Sequence, residues 1–197
     1  MIITGIEKGY RKLFRIYVDE EYAFSLYESE IRRYQLEQDM ELAEELFYEI
    51  LEDTIFKRGK QKALNLLKRM DYTEGELRSK LKMSDFTPDM TDRVIDYINS
   101  YHYLNDARYV ENYVAYKKSN KSIRQIKMEL GRKGVDSELI EEHLAKSLPS
   151  DEEAIKKAIA KKTKDVDALT YEEKQKIASY LFRKGFKESD IRQQLLL

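Results

Sequence analysis

The chain has 197 residues, with 36 basic and 37 acidic side chains and a formal net charge of −1. Charged residues make up 37%, against roughly 25% in an average globular domain, and only seven glycines and two prolines interrupt them. This composition excludes a turn-rich β protein. The absence of cysteine excludes disulfides, thiolate metal sites and thiol catalysis.

No apolar run approaches the roughly 18 residues of a membrane span. Met1-Ile2-Ile3-Thr4 lacks the basic region and apolar core of a signal peptide, so the expected address is cytoplasmic, with no membrane partner. In chain order, Leu13, Phe14, Ile16, Tyr17 and Val18 form a β-prone run. Tyr22, Phe24 and Leu26 alternate with small residues, and Asp19-Glu20-Glu21 is the expected hairpin turn between the two runs. Ile2, Ile3 and Ile6 suit a third strand. From about residue 39 the apolar period becomes helical through Leu42, Leu46, Ile50 and Ile55, with Gly59 as the expected break.

Beyond Gly59 the sequence repeats. Leu77, Leu81, Phe86, Thr91 and Ile95 recur 49 residues later as Ile126, Leu130, Val135, Ile140 and Leu144. They recur again after 51 more as Ile177, Leu181, Phe186, Ile191 and Leu195. The turns align as well: Arg132-Lys133-Gly134-Val135 matches Arg183-Lys184-Gly185-Phe186. Both glycines suit the left-handed position that ends a helix, where the first copy has Asp85. Thr73-Glu74-Gly75-Glu76 reads as a capping box, and Thr87-Pro88 as a cap followed by proline in the first turn. Each unit is preceded by a further helix, at roughly 60–70, 106–118 and 151–162. The expected fold is therefore mainly α: an elongated tandem array of three three-helix repeats (60–104, 105–149 and 150–197) behind an N-terminal β-hairpin or three-stranded segment plus helix (1–59). The third repeat carries an insertion around Thr163–Thr170.

Signatures of catalysis are missing. The glycines are scattered rather than gathered in a phosphate loop, and His102 and His143 have no metal-ligand spacing. No catalytic, cofactor-binding or metal residue is assigned, and no cofactor is expected.

Charge is distributed unevenly. Residues 1–59 hold 8 basic and 14 acidic side chains, residues 60–149 hold 17 and 14, and residues 150–197 hold 11 and 9. Within 117–133, Lys117, Lys118, Lys121, Arg124, Lys127, Arg132 and Lys133 stand against Glu129 alone. Such a set reads either as a phosphate-binding patch or as a solvated helix face. Tyr97, Tyr101, Tyr103, Tyr109, Tyr113 and Tyr116 crowd the preceding segment, suited to base stacking or to packing on the helix face with hydroxyls at its edge.

The segment Ala63-Leu64-Asn65-Leu66-Leu67-Lys68-Arg69, the run Glu76–Leu81, the junction Tyr103-Leu104-Asn105-Asp106-Ala107-Arg108-Tyr109-Val110 and the stretch Ile123–Val135 occur in an order and spacing that resemble the RecX family. The run Ile16–Phe24 is similar to the N-terminal extension of that family's Gram-positive branch. His102, Glu20 and Lys121-Ser122 depart from the family pattern, standing where glycine is usual. The resemblance covers nearly the whole chain and marks Tyr103, Leu104, Asp106, Arg108 and Tyr109 as its most characteristic motif.

The resemblance implies a non-enzymatic regulator that binds the RecA recombinase and its filament on single-stranded DNA, inhibits recombinase, ATPase and coprotease activity in DNA repair and the SOS response, and binds DNA itself weakly and without sequence preference. A monomer is expected. Arg108 is read either as a contact or as the partner of Asp106 in the junction between repeats. Two other readings stay open on the residues alone: a DNA-binding module of tandem helix-turn-helix-like units acting without RecA, and a helical adaptor that binds only protein.

Overall fold

The structure, a computed structural model, describes residues 1–9, 12–147 and 150–197; the expected boundary at residue 149 lies outside the described residues. Three strands, β1 (Ile3–Lys8), β2 (Leu13–Val18) and β3 (Glu21–Tyr27), form an antiparallel sheet in the order β1-β2-β3. The β2–β3 connection is shorter than the sequence suggests, because Glu21 already belongs to β3. Asp19 and Glu20 alone make the turn, both with positive φ (50° and 70°). Left-handed geometry at both central residues matches the twist of the flanking strands, which explains its use without glycine. The register places Ile16 opposite both Ile6 and Phe24. The outer side of β1 is occupied at its start: the Ile3 N–H donates to the Met40 carbonyl at 3.0 Å, and the Ile3 carbonyl accepts from Asp39 at 2.8 Å.

After the sheet comes a short helix that the apolar period did not reveal, α1 (Glu28–Tyr34). The next helix starts later than expected, at α2 (Glu44–Glu49), leaving Leu42 buried in the segment before it. A π-helical turn (Ile50–Phe56) runs directly on into α3 (Lys57–Leu67). Gly59 is no break. It is buried inside α3, where an added Cβ would lie 2.6 Å from Val94 Cγ2 and 3.2 Å from Phe86 Cε1. The missing side chain is what lets α3 approach the helix that carries Val94.

The remaining helices are α4 (Glu74–Lys82), α5 (Pro88–Ser100), α6 (Asp106–Lys117), α7 (Ile123–Arg132), α8 (Ser137–Ser147), α9 (Glu152–Ala160), α10 (Tyr171–Arg183) and α11 (Glu188–Leu195). Of the fifteen repeat positions, fourteen are buried and Ile177 is half-buried. Their caps follow from sequence. Thr73 Oγ1 accepts from the Glu76 N–H at 3.1 Å, and Thr87 Oγ1 accepts from Met90 at 3.3 Å with Pro88 in the first turn.

The turn between the second and third helices has one hydrogen-bond pattern in all three repeats. Phe86, Val135 and Phe186 N–H donate to the carbonyls of Leu81, Leu130 and Leu181 at 3.5, 3.2 and 3.4 Å. Asp85, Gly134 and Gly185 N–H donate to Lys82, Gly131 and Phe182 at 3.1, 2.9 and 2.8 Å. This is the Schellman closure, which requires a left-handed residue; φ is 60°, 78° and 83° at the three positions.

The chain divides into two compact units, Met1–Leu104 and Asn105–Leu197. In the first, the sheet and the first repeat share one core, from Ile3, Ile16, Phe24 and Leu26 through Leu42 and Ile50 to Leu77, Val94 and Ile98. In the second, one apolar cluster is centred on Val114, Ile126 and Leu130, and another on Ile155, Leu181 and Phe186. Among the described residues no helix is long and apolar enough to cross a membrane.

Candidate nucleic-acid interface

The basic set of the second repeat is laid out by α6, α7 and the turn after α7. Ser122 caps α7: its buried hydroxyl oxygen accepts from the Gln125 N–H at 3.2 Å, while Gln125 reaches back to the Ser122 N–H at 3.4 Å. Asn105 caps α6 by accepting from the Arg108 N–H at 2.8 Å. Thus the backbone of Arg108 serves the junction, and its side chain stays exposed.

On α6, Tyr109 and Tyr113 stand one turn apart with rings 6.1 Å between centroids and 14° between planes. Both pack partly against the core, whereas Tyr116 is 75% exposed. Lys133 lies over both stacked rings, at 5.5 and 6.0 Å from their centroids. Lys117 lies 5.9 Å from the Tyr113 ring and 4.5 Å from that of Tyr116. These are cation–π distances.

Glu129 is the anion at the centre of this group. It accepts from the Tyr113 hydroxyl and from Lys121. Burial pushes its carboxyl pKa up, but the Lys121 ammonium and the Tyr113 hydroxyl outweigh that and hold it below the usual carboxylate range. The Tyr113 hydroxyl is driven well above the ordinary tyrosine value, first by burial and then by its bond to that carboxylate. Lys127 is turned to α8, where it meets Glu141 Oε2 at 2.6 Å.

The seven cations therefore divide. Lys121 and Lys127 are neutralised, the latter by a carboxylate outside the 117–133 window, and Lys117 and Lys133 lie on tyrosine rings. Lys118, Arg124 and Arg132 are exposed and make no ion pair among the described residues.

The α7 N-terminus is also where the third repeat attaches. The Ser122 hydroxyl donates to the Lys184 carbonyl at 2.8 Å, and the Ile123 N–H donates to Asp151 Oδ1 at 2.7 Å. A Cβ on Gly185 would come 3.1 Å from Ser122 Oγ and 3.4 Å from Arg124 Cδ. The stem of Arg124 thus borders this joint.

The junction motif spans the boundary between the two units. Tyr103 is 50% exposed, and its ring stacks on that of Tyr101 at 6.0 Å and 22°. Leu104 packs against the core of the first unit. Asp106 opens α6, where a carboxylate suits the helix dipole. His102, standing where glycine is usual, has φ 55°, as glycine's place requires.

Three family models match the chain: the first three-helix domain of RecX at residues 60–97, the second at 105–144 and the third at 150–195. The protein named regulatory protein RecX from Clostridioides difficile is 33% identical over 195 residues, covering 94% of this chain and 90% of its own.

The chain belongs to the RecX family.

Further RecX relatives agree. Regulatory protein RecX of Clostridium acetobutylicum is 30% identical (96% of this chain, 92% of its own), and that of Bacillus subtilis is 32% identical (91% and 70%). A crystal structure of RecX from Lactobacillus salivarius superposes with a TM-score of 0.60 at 28% identity, over 71% of this chain and 96% of that one. A crystal structure of regulatory protein RecX matches in fold over 98% of both chains, with a TM-score of 0.64 at 23% identity. The RecX repeats are the three helical units described above, and the family's regulatory role extends to this chain.

Sequence reasoning overlooked a second basic stretch. Between Thr54 and Met70 stand Lys57, Arg58, Lys60, Lys62, Lys68 and Arg69 with no carboxylate. The signal was present in the sequence, but half of the stretch reads first as the amphipathic helix of the opening repeat.

Proposed function

We propose that this chain binds the RecA recombinase and its filament on single-stranded DNA and lowers recombinase, ATPase and coprotease activity. The observation that carries the reading is the second repeat's surface of exposed cations beside stacked tyrosines, in a chain of the RecX family. Lys118, Arg124 and Arg132 are its free cations, suited to DNA phosphates or to acidic filament surface. Lys117 and Lys133 add charge above the rings, and Lys121 and Lys127 hold the helices that carry them. Tyr109 belongs to the ring platform, and Tyr103, Leu104, Asp106 and Arg108 make up the stretch of chain that leads into and opens α6.

The test is RecA ATP turnover on single-stranded DNA while this protein is titrated in. A dose-dependent fall is expected. The Lys118→Glu/Arg124→Glu/Arg132→Glu variant spares every ion pair described and should need about tenfold more protein for the same effect. Flat turnover at saturating protein overturns the function. Full inhibition by the folded triple variant overturns the assignment of the surface.

A further inference from the structure

The overlooked basic stretch leads to a second aromatic surface, wholly within the first unit. The π-helical turn ends at Phe56, and π turns are frequent where a helix presents a functional side chain. Lys60, one turn further on, places its ammonium 4.3 Å from the Phe56 ring centroid and 4.9 Å from that of Tyr97. Phe56 and Tyr97 are themselves 6.1 Å apart.

From there the rings continue outward: Tyr97 to Tyr101 at 4.9 Å, and Tyr101 to Tyr103 at 6.0 Å, nearly parallel. Arg93, Tyr97 and Tyr101 fall at i, i+4 and i+8 of α5 and its C-cap, which puts them on one face. Arg93 lies 4.8 Å from the Phe56 ring centroid and is held there by Glu52. Arg58 points elsewhere, to Glu30 and the Ser25 carbonyl.

The four rings run from the core into solvent. Phe56 and Tyr97 pack against the core, while Tyr101 and Tyr103 are 58% and 50% exposed. Exposing two stacked rings forgoes their burial energy. Glu52 is committed to Arg93; α3 itself has no carboxylate, and Lys57 at its start and Lys68 and Arg69 just past its end are exposed.

Flat apolar faces beside a basic helix match a strand that offers flat faces and phosphates together. A duplex hides its base faces in the stack and offers phosphate alone. An acidic peptide would match the charge but not the two parallel rings.

We propose that the ladder Phe56–Tyr97–Tyr101–Tyr103 is a platform on which unpaired bases of a nucleic-acid strand stack, with Lys60 and the exposed cations at the two ends of α3 receiving its phosphates. This goes beyond the function proposed above. It requires no RecA, and its test contains none, so the two readings fail separately.

The full chain is titrated with a short oligo(dT), an oligo(U), an abasic strand of equal length and a duplex. Binding is followed by anisotropy and by tyrosine emission, which is readable directly because the chain has no tryptophan. At least one base-bearing single strand should bind about tenfold more tightly than the abasic strand or the duplex and quench the emission. Comparing oligo(dT) with oligo(U) identifies which sugar is preferred.

Tyr101→Ala/Tyr103→Ala should bring base-bearing strands down to the abasic level. Tyr101→Phe/Tyr103→Phe should keep the preference, because stacking needs the ring and not the hydroxyl. Lys60→Gln should weaken base-bearing and abasic strands alike and reduce the salt slope by about one. Equal affinity for abasic and base-bearing strands overturns the platform. So does an alanine variant that binds like the parent, or a phenylalanine variant that fails like the alanine one.

Discussion

Asp85 and Gly185 occupy the same backbone position in the first and third repeats, with the same two closing hydrogen bonds, yet their surroundings differ. The Asp85 turn leans on the sheet: its carboxylate meets Arg15 at 2.8 Å and its carbonyl accepts from the Tyr22 hydroxyl. The Gly185 turn leans on the start of α7, so close to Ser122 that a Cβ would crowd the hydroxyl serving both as helix cap and as donor to Lys184. The repeat thus determines the backbone, and the neighbour determines the side chain. Where the neighbour offers a guanidinium, aspartate endures the left-handed conformation. Where it offers a tightly placed hydroxyl, an added Cβ would have to push it aside, and glycine stands there instead.

Exchanging the two residues breaks the comparison most sharply. Gly185→Asp should cost about 2 kcal/mol, from left-handed strain and the displaced Ser122 hydroxyl, read as a lower urea midpoint. The seat itself gives a smaller, pH-dependent effect. Asp151, buried and facing Lys187 and Asp190, has its pKa raised by burial against the opposing pull of the Ile123 N–H. A raised carboxyl binds its proton more tightly in the folded chain, so stability should fall as pH rises from the ordinary 3.8 through the raised value, and stay lower above it. Asp151→Asn keeps an acceptor for Ile123 and should flatten that slope in urea titrations across the acid range. The reverse exchange is the mildest. Asp85→Gly relieves strain but loses an ion pair whose arginine is 45% exposed, so the stability read from urea unfolding should change by no more than about 0.5 kcal/mol.

The repeats were legible because a three-helix unit must bury the same five positions each time, and the spacing of Leu77, Ile126 and Ile177 shows this directly. The glycines at 134 and 185 and the Thr73 box were legible for the same local reason. Gly59 was not, since the demand on it comes from Val94, 35 residues away, and no local pattern reports it. The short α1 had no long apolar period to announce it. At the basic surface, a count along the chain found the cations but not their partners. Glu141 reaches Lys127 from another helix, and Glu129 serves Lys121 and Tyr113 together. Local sequence reports the charge a segment brings; the fold decides how much of it is left for a partner.

The Asp39–Met40 segment that hydrogen-bonds alongside β1 has a consequence for how the chain behaves in a crowded solution. An open strand margin is a template for another chain's strand. Here the Ile3 N–H and carbonyl are already taken, and Asp39 and Glu41 stand on the strip that takes them, in a segment with six more acids than bases. A second copy approaching the start of β1 meets occupied hydrogen bonds and like charge, so strand addition is disfavoured at that end of the margin.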